Sequence, residues 1–160
     1  MTIKVGDSIP SAKLMMASAE GPKEVTTEEL FGGKTVVLFG VPGAFTPTCS
    51  AKHLPGFVTN IAAIKGKGVD TVACMAVNDV FVMGAWGKDQ GVGENVAMLA
   101  DGSAAFTKAM GLEFDLTARG LGVRAQRFVL VAKNGVVTHV AVEAPGAFEV
   151  SSAEAVLAAL

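Results

Sequence analysis

Thr35-Val36-Val37-Leu38-Phe39-Gly40-Val41-Pro42-Gly43-Ala44-Phe45-Thr46-Pro47-Thr48-Cys49-Ser50 is the stretch from which the rest of the chain can be read. Its first five residues form an unbroken apolar run, the mark of a strand buried on both faces. A loop rich in glycine and proline follows, and Thr46-Pro47 then offers a helix start. Threonine is a good N-cap. Proline loses nothing at the first helical position, where an N–H would have no partner anyway. The helix is expected from about Pro47 to Lys65. Cys49 falls in its first turn, with its sulfur among unpaired backbone N–H groups at the positive end of the helix dipole. Both effects favour the thiolate, which is the nucleophilic form of cysteine.

Reading outward, Val69 to Val77 is a second β-rich apolar run. Asn78-Asp79 then caps a helix through about Trp86. Val96 to Ala100 is a third short strand, and Gly102-Ser103 opens a helix through Met110. Arg127 to Ala132 and Val136 to Val142 flank Lys133-Asn134-Gly135, where Asn-Gly signals a hairpin. Ser151-Ser152 caps a last helix to about Leu160. Upstream, Thr26-Thr27-Glu28-Glu29-Leu30 is a short capped helix within an N-terminal extension. No repeat or linker interrupts the 160 residues, so one domain spanning 1–160 is expected. The order β-α-β, then β-β-α, is that of a thioredoxin-like α/β fold: a central mixed sheet flanked by helices, here with an N-terminal extension and an insert.

Composition narrows the function. Hydrophobic residues make up 51% and charged residues 18%, which fits a globular chain. A net charge of -2 with no Lys/Arg run argues against nucleic acid, which needs many cationic contacts, and against a membrane surface. No stretch approaches the roughly 20 apolar residues of a membrane helix. Met1 to Asp7 lacks an apolar signal region and reads as a mature N-terminus. Two cysteines cannot build a disulfide framework in a chain of this size, so a reducing compartment, the cytoplasm, is the default. His53, His139 and the two cysteines are too scattered for a zinc spacing, and Gly91-Val92-Gly93 lacks the strand–helix context of a phosphate loop. Neither a zinc site nor a phosphate loop is expected from these residues.

A lone cysteine at a helix start is more often a small buried hydrophobe than a nucleophile. What lifts Cys49 above that reading is its company. Electron density builds on both oxygens as an O–O bond breaks, so fixed donors should face them. The Thr46 hydroxyl, three residues earlier, and the backbone N–H groups of Thr48 and Cys49 can do so. A permanent cation is still wanted. The only arginines are Arg119, Arg124 and Arg127. Arg127 begins a strand expected beside Thr35–Phe39 and is the first choice, with Arg124 second. A guanidinium keeps its charge and presents several donors in one plane.

Pro42-x-x-x-Thr46-x-x-Cys49 resembles the active-site motif of the peroxiredoxins. The longer string from Val41 to Ser50, continuing through His53-Leu54-Pro55-Gly56-Phe57, is similar to the atypical type II, peroxiredoxin-5-like branch. So are Val77-Asn78-Asp79 with Trp86, and Arg127-Phe128 before the Asn134-Gly135 turn. The resemblance covers nearly the whole chain. It implies a thiol peroxidase in which Cys49 is oxidised to sulfenic acid by hydrogen peroxide or an organic hydroperoxide. Pro42 would shield the sulfur, Thr46 would bond the peroxide, and Arg127 would hold both. It also implies no metal or organic cofactor, and a homodimer with Phe45 and Trp86 near the shared surface. Some relatives carry a resolving cysteine near the C-terminus. The comparable stretch here, Val150-Ser151-Ser152, has no thiol, so an external reductant is expected: glutathione with glutaredoxin, or thioredoxin.

Three further readings remain. Cys74 lies in an apolar strand and is favoured as a core residue; the other reading is an internal resolving thiol, reached if the Cys49 turn unwinds near Pro55. His53, four residues after Cys49, is either a base or, the preferred reading, a helix residue facing solvent or a neighbouring strand. A dithiol oxidoreductase is excluded because Thr46 holds the first position of the would-be Cys-x-x-Cys. The remaining rival is a non-catalytic thioredoxin-fold binding or chaperone-like protein, which predicts a Cys49 with no arginine near it.

Overall fold

The computed structural model describes residues 1–160. An antiparallel pair, β1 (Lys13–Met16) and β2 (Lys23–Thr26), comes first. It leads into α1 (Thr27–Phe31), whose N-terminus is closed by a reciprocal Thr26–Glu29 capping box. β3 (Thr35–Gly40) is the expected buried strand. After the Pro42 loop come a π-helical turn (Cys49–His53), α2 (Leu54–Thr59) and α3 (Ile61–Gly66). β4 (Thr71–Ala76), α4 (Val80–Asp89), β5 (Ala97–Ala100) and α5 (Ala105–Ala109) follow. The chain ends with β6 (Glu113–Leu116), β7 (Gly122–Ala125), β8 (Phe128–Lys133), β9 (Val136–Val142) and α6 (Ala153–Ala159).

Seven strands form one mixed sheet in the order β2-β1-β5-β4-β3-β8-β9, and β6 and β7 pair separately. β3 runs parallel to β4 and antiparallel to β8. Its apolar run is unbroken because both faces are covered. Val37 and Phe39 join the core under α2, α3, α4 and α6, whereas Val36 and Leu38 join the core under α1 and α5. This is the thioredoxin-like fold expected. Gly40 pairs with Phe128 across β8, and any side chain at Gly40 would collide with the Phe128 ring. Arg127 immediately precedes Phe128, so it stands where β3 gives way to the Pro42 loop. No helix is long and apolar enough to cross a membrane.

Four local features differ from expectation. The helix foreseen over Pro47–Lys65 widens into a π turn and breaks at Asn60. Leu54 N–H reaches back to the Cys49 carbonyl, five residues away. Pro55 has no N–H, and its ring would crowd the carbonyl four residues earlier, so the wider turn relieves it. Gly102-Ser103 does not open α5. The buried Asp101 carboxylate accepts the Phe106 and Thr107 N–H groups instead, and the helix starts later. α4 runs past Trp86 to Asp89. The pairs β1–β2 and β6–β7 were not foreseen.

Candidate active site

The loop between β3 and the π turn delivers Cys49 into the core, where the residue is fully buried. The Arg127 guanidinium reaches it from the strand beside β3. Nη2 donates to the Cys49 Sγ at 3.1 Å, and Nη1 donates to His53 Nδ1 at 2.9 Å. His53 Nε2 lies 2.9 Å from the Ser151 carbonyl. A carbonyl only accepts, so Nε2 carries the proton and Nδ1 is free to accept from Arg127. Burial first, and the Arg127 charge second, push the His53 pKa down to about 3. The imidazole is thus a neutral acceptor that orients the guanidinium. His53 is fully buried against Phe39, Phe57 and Phe148, with ring centroids 4.9, 5.7 and 5.1 Å away. The preferred reading therefore holds in its strand-facing form, since the ring packs on Phe39 of β3, and only its solvent-facing form is corrected. The four-residue spacing from Cys49 was the signal that put both on one side of the turn.

The network continues into the C-terminal segment. The Glu143 carboxylate accepts the N–H groups of Glu149, Val150 and Ser151 and, at 2.6 Å, the Ser151 hydroxyl. Burial would raise this carboxyl, but the Ser151 hydroxyl and the backbone donors outweigh it and hold it below its ordinary value. Glu143 N–H in turn bonds the Arg127 carbonyl at 2.9 Å. Sequence reasoning missed Glu143, because nothing local marks a carboxylate whose partners lie six to eight residues on.

The loop residues hold less direct places. Thr46, half-buried, does not use its hydroxyl as the expected cap; the hydroxyl donates to the Gly43 carbonyl at 2.7 Å. Pro42 and Thr48 are half-buried on either side of it, and Thr48 has helical backbone just before Cys49. Arg124 is not at the sulfur. Its Nε donates to the Leu121 carbonyl at 2.8 Å and its Nη1 to the Pro42 carbonyl at 3.4 Å. Asn78, read from sequence only as a cap, accepts the Ala44 N–H at 2.9 Å; Asp79 is the actual cap of α4. Phe45 is exposed, but Trp86 is fully buried and donates its indole N–H to Ser50 Oγ at 3.0 Å, so the expectation that Trp86 lies on a shared surface is corrected. Cys74 faces Phe39 across β4 and is fully buried in the same core as Cys49. Burial first, then the nearby Cys49, push its thiol pKa well up, with Arg127 pulling the other way.

A thioredoxin-like frame that presents one sulfur to a permanent cation, with threonine where a second cysteine would stand, defines a thiol peroxidase rather than a dithiol exchanger or a passive binding module. Comparison with known proteins agrees. Residues 4–157 match the Redoxin family. The chain is 48% identical to Peroxiredoxin-2C of Oryza sativa subsp. japonica, covering 99% of this chain and 98% of that one. It is also 48% identical to chloroplastic Peroxiredoxin-2E of Arabidopsis thaliana, covering 99% and 70%. The crystal structure of reduced Prx3 from Vibrio vulnificus in complex with hydrogen peroxide has a TM-score of 0.94 and 52% identity, covering 99% of both chains. The chain belongs to the peroxiredoxin family, on its type II branch, and is a thiol-dependent peroxidase.

Proposed function

We propose that Cys49 is the peroxidatic residue and that hydrogen peroxide and organic hydroperoxides are its substrates. The observation that carries this reading is the 3.1 Å bond from Arg127 to the Cys49 sulfur. The thiolate attacks one peroxide oxygen. An S–O bond forms and the O–O bond breaks. Its electron pair leaves with the second oxygen, which takes a proton to become water or an alcohol. The sulfur, oxidised by two electrons, becomes a sulfenic acid. Arg127 faces the oxygens while negative charge spreads over them. Thr46 has committed its proton to Gly43, so its oxygen accepts from the peroxide O–H. Pro42 screens the sulfur from bulk water, and the Thr48 and Cys49 N–H groups add donors at the start of the turn. The hydrogen peroxide complex of the Vibrio vulnificus relative supports the smaller substrate.

An external thiol then resolves the sulfenic acid. Its thiolate attacks the Cys49 sulfur, water leaves, and a mixed disulfide forms; a second thiol exchanges with it and returns Cys49. Glutathione with glutaredoxin, or thioredoxin, supplies these thiols. Two observations support an outside source: Cys74 sits within the β4 core, and Ser151 occupies the C-terminal stretch where some relatives carry a resolving cysteine. Exposed Phe45 suits a homodimer contact, and two unpaired thiols suit a reducing compartment such as the cytoplasm. The test is peroxide consumption with each reductant supplied separately, followed by intact mass of the oxidised protein. Wild type should turn over and carry one added thiol adduct, and Cys49→Ser should do neither. Turnover by Cys49→Ser would end the assignment, and an internal Cys49–Cys74 disulfide would overturn the external resolution.

A further inference from the structure

Pro42 to Thr46 lies outside helix and strand, yet it carries the hydroxyl assigned to the peroxide. Phe45 within it has φ +64°, a left-handed backbone that a non-glycine residue keeps only where its surroundings hold it. Two side chains from distant segments hold this loop, and both hydrogen-bond to its backbone. Asn78 Oδ1 accepts the Ala44 N–H at 2.9 Å. Arg124 bridges the Leu121 and Pro42 carbonyls, and a methyl group at Gly43 would lie 2.9 Å from Arg124 Nη1 and 3.2 Å from Thr46 Cγ2. The loop is thus packed between the guanidinium and its own threonine. Asn78 sits at a fixed corner. Asp79 beside it caps α4 through Val82 N–H at 2.8 Å, and the Ala76 carbonyl just before accepts Asp101 N–H at 3.0 Å.

We propose that Asn78 is a positioning residue for the peroxide step, with Arg124 as its partner, bonding the same loop two residues earlier at Pro42. The inference rests on Cys49 being the peroxidatic residue. Asn78 fixes Ala44, and with it the Gly43 carbonyl that orients the Thr46 hydroxyl. Arg127, His53 and the sulfur are held by β8, the π turn and Ser151, none of which uses this bond. Loss of the Asn78 acceptor therefore misplaces Thr46 while leaving the sulfur and its cation together. A merely structural role would disturb both.

The experiment measures the second-order rate of fully reduced protein with hydrogen peroxide by stopped flow. It is paired with an ultraviolet titration of the Cys49 thiolate and far-ultraviolet circular dichroism. Asn78→Ala should slow the rate roughly 10- to 100-fold, the scale of a small misplacement of a reacting group. Its thiolate titration should overlay the wild type. Asn78→Asp keeps the acceptor oxygen and should restore most of the rate per thiolate. Arg124→Lys, with one donor nitrogen instead of a fork, should also be slowed, and it carries the test if Asn78→Ala does not fold. A wild-type rate in Asn78→Ala overturns the proposal, as does a loss matched by a shifted thiolate titration or an Asn78→Asp as slow as Asn78→Ala. If Cys49→Ser is dead while Asn78→Ala is fully active, the positioning role alone fails; if Cys49→Ser stays active, the underlying reading fails.

Discussion

Cys49 and Cys74 are equally hidden from solvent and share one apolar core, yet they are chemically unlike. Around Cys74 burial dominates, and it pushes the thiol toward its protonated, inert form. Cys49 ends a loop, starts a helical turn, and meets a guanidinium at 3.1 Å that a neutral histidine steers. Burial is common to both and so does not distinguish them. What sets Cys49 apart is a fixed positive charge brought to its sulfur from an adjacent strand.

The sharpest way to break this comparison is to remove each sulfur in turn. Cys74→Ala should keep peroxide turnover within about twofold of wild type, against a loss of about a thousandfold or more for a missing nucleophile. A Cys74→Ala variant as inactive as Cys49→Ser would erase the distinction. Next in size is the cation. Arg127→Lys keeps the charge but cannot bond the sulfur and His53 Nδ1 together through a planar fork, so stopped-flow oxidation should slow about 100-fold. Wild-type rates in that variant would leave the guanidinium geometry without a role.

The smallest effect concerns the histidine. His53 titrates near 3 when folded, against 6.5 for an ordinary imidazole, so the unfolded chain binds more protons between those values. Stability is fully present above 6.5 and should fall as the pH drops toward 3, by about 1.4 kcal/mol per pH unit from this residue alone. Below the ordinary glutamate value of 4.5, the lowered carboxyl of Glu143 adds a loss of the same sign. Denaturant unfolding from neutral pH downward should show a shallower decline in His53→Gln than in wild type. Equal slopes would mean that the imidazole is not held neutral.

The sequence made the frame legible where local chemistry and tertiary packing agree. The Thr35–Phe39 run, the Asn134-Gly135 hairpin with both residues at positive φ, and the Thr26–Glu29 box all encode their structure within a few residues. Cys49 and Arg127 were legible as a pair because two neighbouring strands set their distance. The β1–β2 and β6–β7 pairs were not. Lys13–Met16 and Lys23–Thr26 mix polar and apolar residues over only four positions each, too short for a period to appear. The α5 start was misplaced because the carboxylate that accepts its early N–H groups belongs to Asp101, before the glycine that drew attention. The contacts of Glu143 and Asn78 escaped for one reason: each is made with a partner brought near by folding, and a single sequence carries no mark of that partner.

The bond between Trp86 and Ser50 has a practical consequence. The chain has one tryptophan and no tyrosine, and that indole is tied to the residue directly after Cys49. Its emission therefore comes from a single place, at the doorstep of the chemistry. Any rearrangement of the turn that bears the sulfur should therefore register in that emission, without any dye.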